Sequence, residues 1–246
     1  DFVRALLAPE PNNLFLRDFV PFAQQVARVG AFNSLGQLLL RLTSPGVPDL
    51  YQGSELWDFS LVDPDNRRPV DYALRQAALQ SIRTACAARG EAACAGELLE
   101  RLEDGQIKLY LTWKTLALRR ECEVLFRDGD YLPLKTHGAR AEQLCAFARH
   151  AAGETLIVLV PRLFGSLMGE DGRLPVGDGV WEDTWVELPP ERMHVQWDNV
   201  LTGQTVDMQA LGEAHGLLLA QVFERFPYAL LRAHDRPHSL PEEEQA

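Results

Sequence analysis

The hydrophobic period of this chain changes near Phe126, and that change limits its fold more than any other feature. Before it, apolar residues recur every three or four positions. Phe15, Phe19, Phe22, Val26 and Val29 lie on one helical stripe, Leu74, Ala78, Ile82 and Ala85 on a second, and Leu109, Trp113, Leu116 and Ala117 on a third that runs to about Phe126. After it, short apolar runs alternate with Gly and Pro clusters, at residues 144–148, 156–160, 185–188, 194–200, 217–222 and 226–232. The run 156–160 is continuous and ends at Pro161, as in a strand buried on both faces. Helices followed by evenly spaced strands define an α+β chain whose second part is an antiparallel β-sandwich. The expected units are residues 1–126 and 127–236, followed by an acidic, Pro-containing tail, 237–246, that lacks the apolar residues to order itself.

Within the helical part, Pro21 fits a first turn capped by Asp18, because first-turn amides have no intrahelical partner. Ser34 and Gln37 have the spacing of a capping box that opens a further helix, with Leu38, Leu39 and Leu42 on its apolar face. Pro45, Gly46 and Pro48 then stop it near Thr43. Residues 47–51 read as a short buried strand and 53–69 as a polar loop. Asp71 is placed to cap the next helix. The Ala- and Gly-rich residues 87–96 read as a loop. The chain opens on Asp1 and a run that resembles the interior of an amphipathic helix, as a piece of a longer protein would.

Composition excludes some partners. The 246 residues carry 35 acidic and 24 basic side chains, a net charge of −11. Such a surface repels phosphate backbones, so no nucleic acid is expected. No apolar run approaches the ~20 residues of a membrane span, so no membrane is expected either. The cysteines Cys86, Cys94, Cys122 and Cys145 match no metal-binding spacing. Free thiols in a reducing cytoplasm are the expected state, since a chain this long needs no staples. His137, His150, His194, His215, His234 and His238 are scattered without ligand spacing, and neither a metal nor a cofactor is expected. Trp181, Trp185 and Trp197 could form a sugar-stacking face, but core positions on alternating strands are the expectation.

The residues that point to chemistry lie between Pro45 and Asp71. Gln52, Glu55, Asp63, Asp65, Asn66, Arg67 and Arg68 can all make directed hydrogen bonds there, and Tyr51 and Trp57 offer flat apolar faces. A sugar ring presents hydroxyls at its edge and CH groups on its faces, so a saccharide site needs both kinds of side chain. The alternative is that these are turn residues, with Asp63 and Arg67 paired to hold the loop's shape.

Two motifs carry a resemblance. Gly46, Pro48, Tyr51, Gly53 and Glu55 match a Gly-x-Pro-x-x-Tyr-x-Gly-x-Glu pattern, and Asp63, Pro64, Asn66, Arg67 and Pro69 match an Asp-Pro-x-Asn-Arg-x-Pro pattern. Both resemble the last barrel strand and following loop of the α-amylase family. Later blocks, including residues 125–134, 145–149 and 226–231, are similar to the branch of that family that rearranges α-1,4-glucans. The resemblance implies the C-terminal end of a (β/α)8 barrel followed by the sandwich. In such barrels the functional face lies at the C-terminal ends of the strands. The resemblance therefore implies that Tyr51, Gln52, Glu55, Asp63, Asn66, Arg67 and Arg68 border a sugar cleft. The family's three catalytic carboxylates come from earlier strands, so no catalytic residue is assigned in this chain. The implied partners are a maltooligosaccharide and the remainder of the barrel. The implied reaction is retaining intramolecular transglycosylation that turns a reducing-end α-1,4 linkage into an α,α-1,1 linkage, with this part inactive alone. A piece of a hydrolytic α-amylase relative and a carbohydrate-binding β domain are the alternatives.

Overall fold

A computed structural model describes residues 1–192 and 195–235. The segment 237–246, expected to be disordered, lies outside the described residues. The chain opens with a short exposed helix, α1 (Phe2–Leu6). It continues into α2 (Leu14–Thr43), 30 residues and about 45 Å long. The Asn13 side chain caps α2 by accepting from the Leu16 amide at 3.1 Å. Asp18 and Ser34 therefore lie inside one helix, and the second helix expected at Ser34 is a continuation of the first. Pro21 sits beyond the first turn and deprives the Arg17 carbonyl of its partner. That turn is solvent-exposed, where water can supply the missing bond.

No residue of α2 before Phe32 is buried. The expected stripe faces outward, with Phe15 39%, Phe19 45%, Phe22 62% and Val26 54% exposed. The C-terminal half differs: Phe32, Leu35, Leu39 and Leu42 are fully buried, each stabilising by roughly 1.5–3 kcal/mol. α3 (Tyr72–Arg89) starts where expected, its Leu74 amide bonded to Asp71 at 2.8 Å. The predicted loop 87–96 is instead mostly helix: Gly90, at φ 84°, breaks the chain only briefly before α4 (Glu91–Glu100). Buried Cys94, Ala95, Leu98 and Leu99 supply an apolar stripe that the small-residue composition concealed. α5 (Gln106–Glu121) and α6 (Glu123–Asp128) complete this region.

The elbow between α3 and α4 brings the Cα atoms of Cys86 and Cys94 to 5.1 Å, and the two are disulfide-bonded. The free-thiol expectation fails for this pair, because the reversal at Gly90 apposes two side chains that sequence spacing leaves unconnected. Cys122 and Cys145 are free.

The remainder is built on two antiparallel sheets. Its strands are β1 (Asp130–Pro133), β2 (Thr136–His137), β3 (Leu144–Ala151), β4 (Glu154–Pro161), β5 (Trp185–Glu187), β6 (Val195–Asn199), β7 (Thr205–Asp207), β8 (Gln209–Leu211), β9 (Ala214–Leu218) and β10 (Ala229–Asp235). Short helices α7 (Phe164–Met168), α8 (Asp178–Trp181) and α9 (Leu219–Val222) lie between them. One sheet runs β1-β3-β4-β10-β6-β7, the other β2-β5-β9-β8. The run 217–222, read as one strand, divides into the end of β9 and α9. The short strands β1, β2, β7 and β8 carried no apolar run and were not anticipated.

The larger sheet has its helical layer against one face. A Cβ on Gly36 of α2 would stand 3.2 Å from Val160 of β4, and the Tyr228 hydroxyl donates to the Phe32 carbonyl at 2.6 Å. Arg149 of β3, 1% exposed, is the main tie. Its guanidinium donates to the carbonyls of Thr43 (2.9 Å), Asp130 (3.1 Å), Gly129 (2.9 Å), Leu125 and Phe126 (both 3.3 Å). It thereby closes the C-terminal ends of α2 and α6, whose last carbonyls have no intrahelical partner.

Candidate functional site

The segment that hangs from the C-terminus of α2 carries all the residues singled out for sugar contact. Residues 47–51 do not form a strand: they are irregular and have no ladder partner among the described residues, and Val47 is 97% exposed. A strand requires a hydrogen-bonding neighbour, and among the described residues none lies alongside. Basic side chains hold the segment instead. Arg41 donates to the Asp49 carbonyl at 3.1 Å, and Arg119 of α5 to the carbonyls of Leu42 (2.7 Å) and Gly46 (3.4 Å).

Arg75, in the first turn of α3, organises the next part. It donates to Glu55 Oε2 (2.9 Å), the Gly53 carbonyl (2.5 Å) and the Asp71 carbonyl (3.0 Å). Gly53 sits at φ 90°, backbone that a side chain rarely adopts. Tyr72 donates to Gln52 Oε1 at 3.3 Å, and Tyr51 is 46% exposed. Trp57 faces α5: its indole donates to the Leu102 carbonyl at 2.7 Å, with Lys108 Nζ 5.5 Å from its ring centre and 3.3 Å from the Leu56 carbonyl. Burial pulls the Lys108 ammonium below its usual range, while nearby Asp58 pushes the other way.

Residues 58–68 form a self-bonded knot. Asp63 accepts from Arg67 at 2.9 Å, Asp65 pairs with Arg68, and the Leu61 amide donates to Asp65 at 2.8 Å. The Leu61 amide, then Arg68, hold the Asp65 carboxyl below its ordinary value, and the hydroxyl and amide of Ser60 do the same for Asp58. Asn66 Oδ1 is buried and has no hydrogen-bond partner. Among the described residues, no hydrogen bond or ion pair joins the Tyr51–Gln52–Glu55 group to the Asp63–Arg68 group directly. Tyr72 and Arg75, on α3, contact only the first.

Glu55, Asp63 and Asp65 are thus each engaged by an arginine, and the Asn66 Oδ1 is buried near them without a partner. Arg67 and Arg68 retain donors beyond their single carboxylate bonds, which suits vicinal hydroxyls. Sequence reasoning missed Arg75, Tyr72, Lys108 and Arg119 as determinants of this geometry. The first two lie about twenty residues along the chain, and the others more than fifty, from the groups they hold. No local pattern announces them.

Other expected features are placed as follows. Trp181 and Trp197 are buried, at 0% and 1% exposure. Trp185 is half-buried, its ring 4.3 Å from that of His137, which bonds Glu187 at 2.8 Å. Among the described residues no group of His, Cys, Asp and Glu could hold a metal ion, and no helix is long and apolar enough to cross a membrane.

No protein-family model matches the chain. Its fold is similar to part of an Anoxybacillus α-amylase, which superposes with a TM-score of 0.50 at 17% identity, over 84% of this chain and 33% of its own. More specific likeness is to maltooligosyltrehalose synthases. The solved enzyme from Arthrobacter ramosus is 32% identical, with a TM-score of 0.62, over 94% of this chain and 25% of its own. A putative maltooligosyl trehalose synthase of Mycobacterium tuberculosis is 40% identical over 154 residues, 61% of this chain and 17% of its own. The chain is homologous to a portion of these enzymes and spans a quarter or less of their length.

Proposed function

We propose that this chain is the C-terminal part of a (1→4)-α-D-glucan 1-α-D-glucosylmutase, the enzyme that converts the reducing-end α-1,4 linkage of a maltooligosaccharide into an α,α-1,1 linkage. The observation that carries this reading is the 32% identity to the Arthrobacter enzyme sustained over 94% of the chain. In it, residues 1–126 are helices of the (β/α)8 barrel with residues 47–51, which would pair as its last strand only beside the preceding strands, and 127–236 the β-sandwich. The exposed stripe of α2 and the unpaired residues 47–51 then face the preceding strands. The whole enzyme would work in the cytoplasm and need no cofactor.

The chemistry follows from that placement. A retaining rearrangement needs a carboxylate nucleophile and a carboxylic acid about 5 Å apart. The carboxylates of this loop are tied to arginines, so the reacting pair belongs to earlier strands. The loop is a wall: Asn66, Arg67 and Arg68 hold the cleaved glucose by its hydroxyls while water stays out and the sugar turns to attack the glycosyl intermediate. Incubating the full-length protein with maltopentaose should yield a product with a non-reducing α,α-1,1 end. Release of glucose and maltooligosaccharides alone would identify a hydrolytic relative. Arg67→Ala or Asn66→Ala should raise the ratio of hydrolysis to rearrangement. An unchanged ratio in a folded variant would overturn the wall.

A further inference from the structure

The knot of residues 58–68 has a fixed shape, but its own bonds do not fix its place. Among the described residues its hydrogen bonds all close within the segment. Its position is therefore set where the chain enters and leaves it. The entry is held to α5, by Trp57 donating to the Leu102 carbonyl and Lys108 donating to the Leu56 carbonyl. The exit, residues 69–71, runs into the cap of α3, and there one side chain joins it to the earlier part of the loop.

That side chain is Arg75. Each nitrogen of its guanidinium donates to a different acceptor: Nε to Glu55, Nη2 to the Gly53 carbonyl and Nη1 to the Asp71 carbonyl. Gly53 and Glu55 belong to the group that precedes the knot, whereas Asp71 ends the segment that leaves it. The two segments also touch: a Cβ on Gly53 would stand 3.2 Å from Val70 Cγ2 and 3.6 Å from Arg75 Nη2. The Arg75 side chain is 17% exposed, so water has little access to replace these bonds. Pro69 stands between this clamp and Arg68, and its ring removes one backbone torsion from the connection. Two groups that share no direct bond are thus held in register through one guanidinium on α3.

We propose that Arg75 is a positioning residue of the rearrangement, a role that rests on the glucan reading: by clamping Gly53 and Glu55 to Asp71 it places Asn66, Arg67 and Arg68 where the cleaved glucose must turn. In the rearrangement the anomeric hydroxyl of that glucose attacks C1 of the glycosyl intermediate. The α,α-1,1 bond forms, the bond to the enzyme's carboxylate breaks, and the hydroxyl proton passes to the general base. In hydrolysis water takes the hydroxyl's place. Glucose must be oriented and water need not be, so a displaced wall slows the first attack more than the second.

The full-length protein acting on maltopentaose provides the test. Arg75→Ala and Arg75→Lys should each raise the ratio of hydrolysis to rearrangement about tenfold, short of the ~100-fold that a misplacement of ~1 Å can cost. An ammonium cannot reproduce the planar fork, so Arg75→Lys tests the idea even if Arg75→Ala does not fold. The ratio is set within each folded molecule, since unfolded molecules form neither product. Ile82→Ala, a core truncation on the same helix at a residue 2% exposed, should therefore lower the unfolding midpoint and keep the wild-type ratio. A ratio unchanged in folded Arg75→Lys would overturn the proposal, and so would an equal rise in Ile82→Ala. In either case a wild type that forms the α,α-1,1 product leaves the glucan reading standing. A wild type that forms none would overturn both.

Discussion

Arg149 shows how much of this structure rests on single side chains. Its charge is buried without a carboxylate, and burial holds its guanidinium below the usual value. Five carbonyls compensate by accepting from it. Removing the donor strands all five, so Arg149→Met should cost about 3 kcal/mol or more, read as a lower urea midpoint. Arg149→Lys should recover little, because an ammonium cannot span that fork. Cys122 offers a reactivity test. Burial pushes its thiol up to about 12, leaving about one part in ten thousand as thiolate at pH 8. Iodoacetamide should therefore leave Cys122 unmodified in the native chain and label it on unfolding. Asp65 gives the pH dependence of the site. Its folded value lies below its unfolded one, so its contribution is complete above the unfolded value of 3.8 and is lost as pH falls through the folded value. The Leu61 amide should lose its Asp65 partner over that acid range, followed as an NMR shift that Asp65→Asn abolishes.

Among the elements, α2 combines two environments in one helix. Its C-terminal half is core, while its N-terminal half presents Phe15, Phe19, Phe22 and Val26 to solvent. Substitutions on an exposed face usually change stability by no more than about 0.5 kcal/mol, whereas exposed apolar patches drive association. Phe22→Glu with Val26→Lys should therefore leave the unfolding midpoint nearly unchanged and reduce self-association measured by light scattering. This helix also marks where sequence reading succeeds and stops. The period of its apolar residues is visible without coordinates, and so is the Asp71 cap of α3. The partner of a stripe is not written in the stripe, and neither is the choice between Asn13 and Ser34 as the helix start. β4 was legible because five consecutive apolar residues suit only a doubly covered strand. β1, β7 and β8 were not, because exposed edge strands carry no apolar signal. At the site, the residue types around Asp63–Arg68 were readable from their motif. The tethering of the preceding residues, Gly53 to Leu56, by Arg75 and Lys108 was not, since it depends on contacts 20 and 52 residues apart in sequence.

At the scale of the molecule, the larger sheet is a shared layer. Tyr228, Val160 and Arg149 attach it to α2 and α6 on one face, and Ala148, Ile157 and Trp197 face away from the helices. Residues 127–246 produced alone would expose the first face, including buried Phe147, Val158 and Leu230. They should aggregate or bind a hydrophobic dye, and the intact chain should unfold in one calorimetric transition. A soluble, cooperatively folded 127–246 would show instead that the two layers are independent.

The loop between α2 and α3 is fastened chiefly through its own carbonyls, those of Gly46, Asp49, Gly53 and Leu56, by donors from Arg119, Arg41, Arg75 and Lys108. Every amino acid has a carbonyl. Such moorings hold the position of the path while leaving the outward side chains free to vary. A lineage could thus rewrite what this rim recognises, one substitution at a time, without first loosening what keeps it in place.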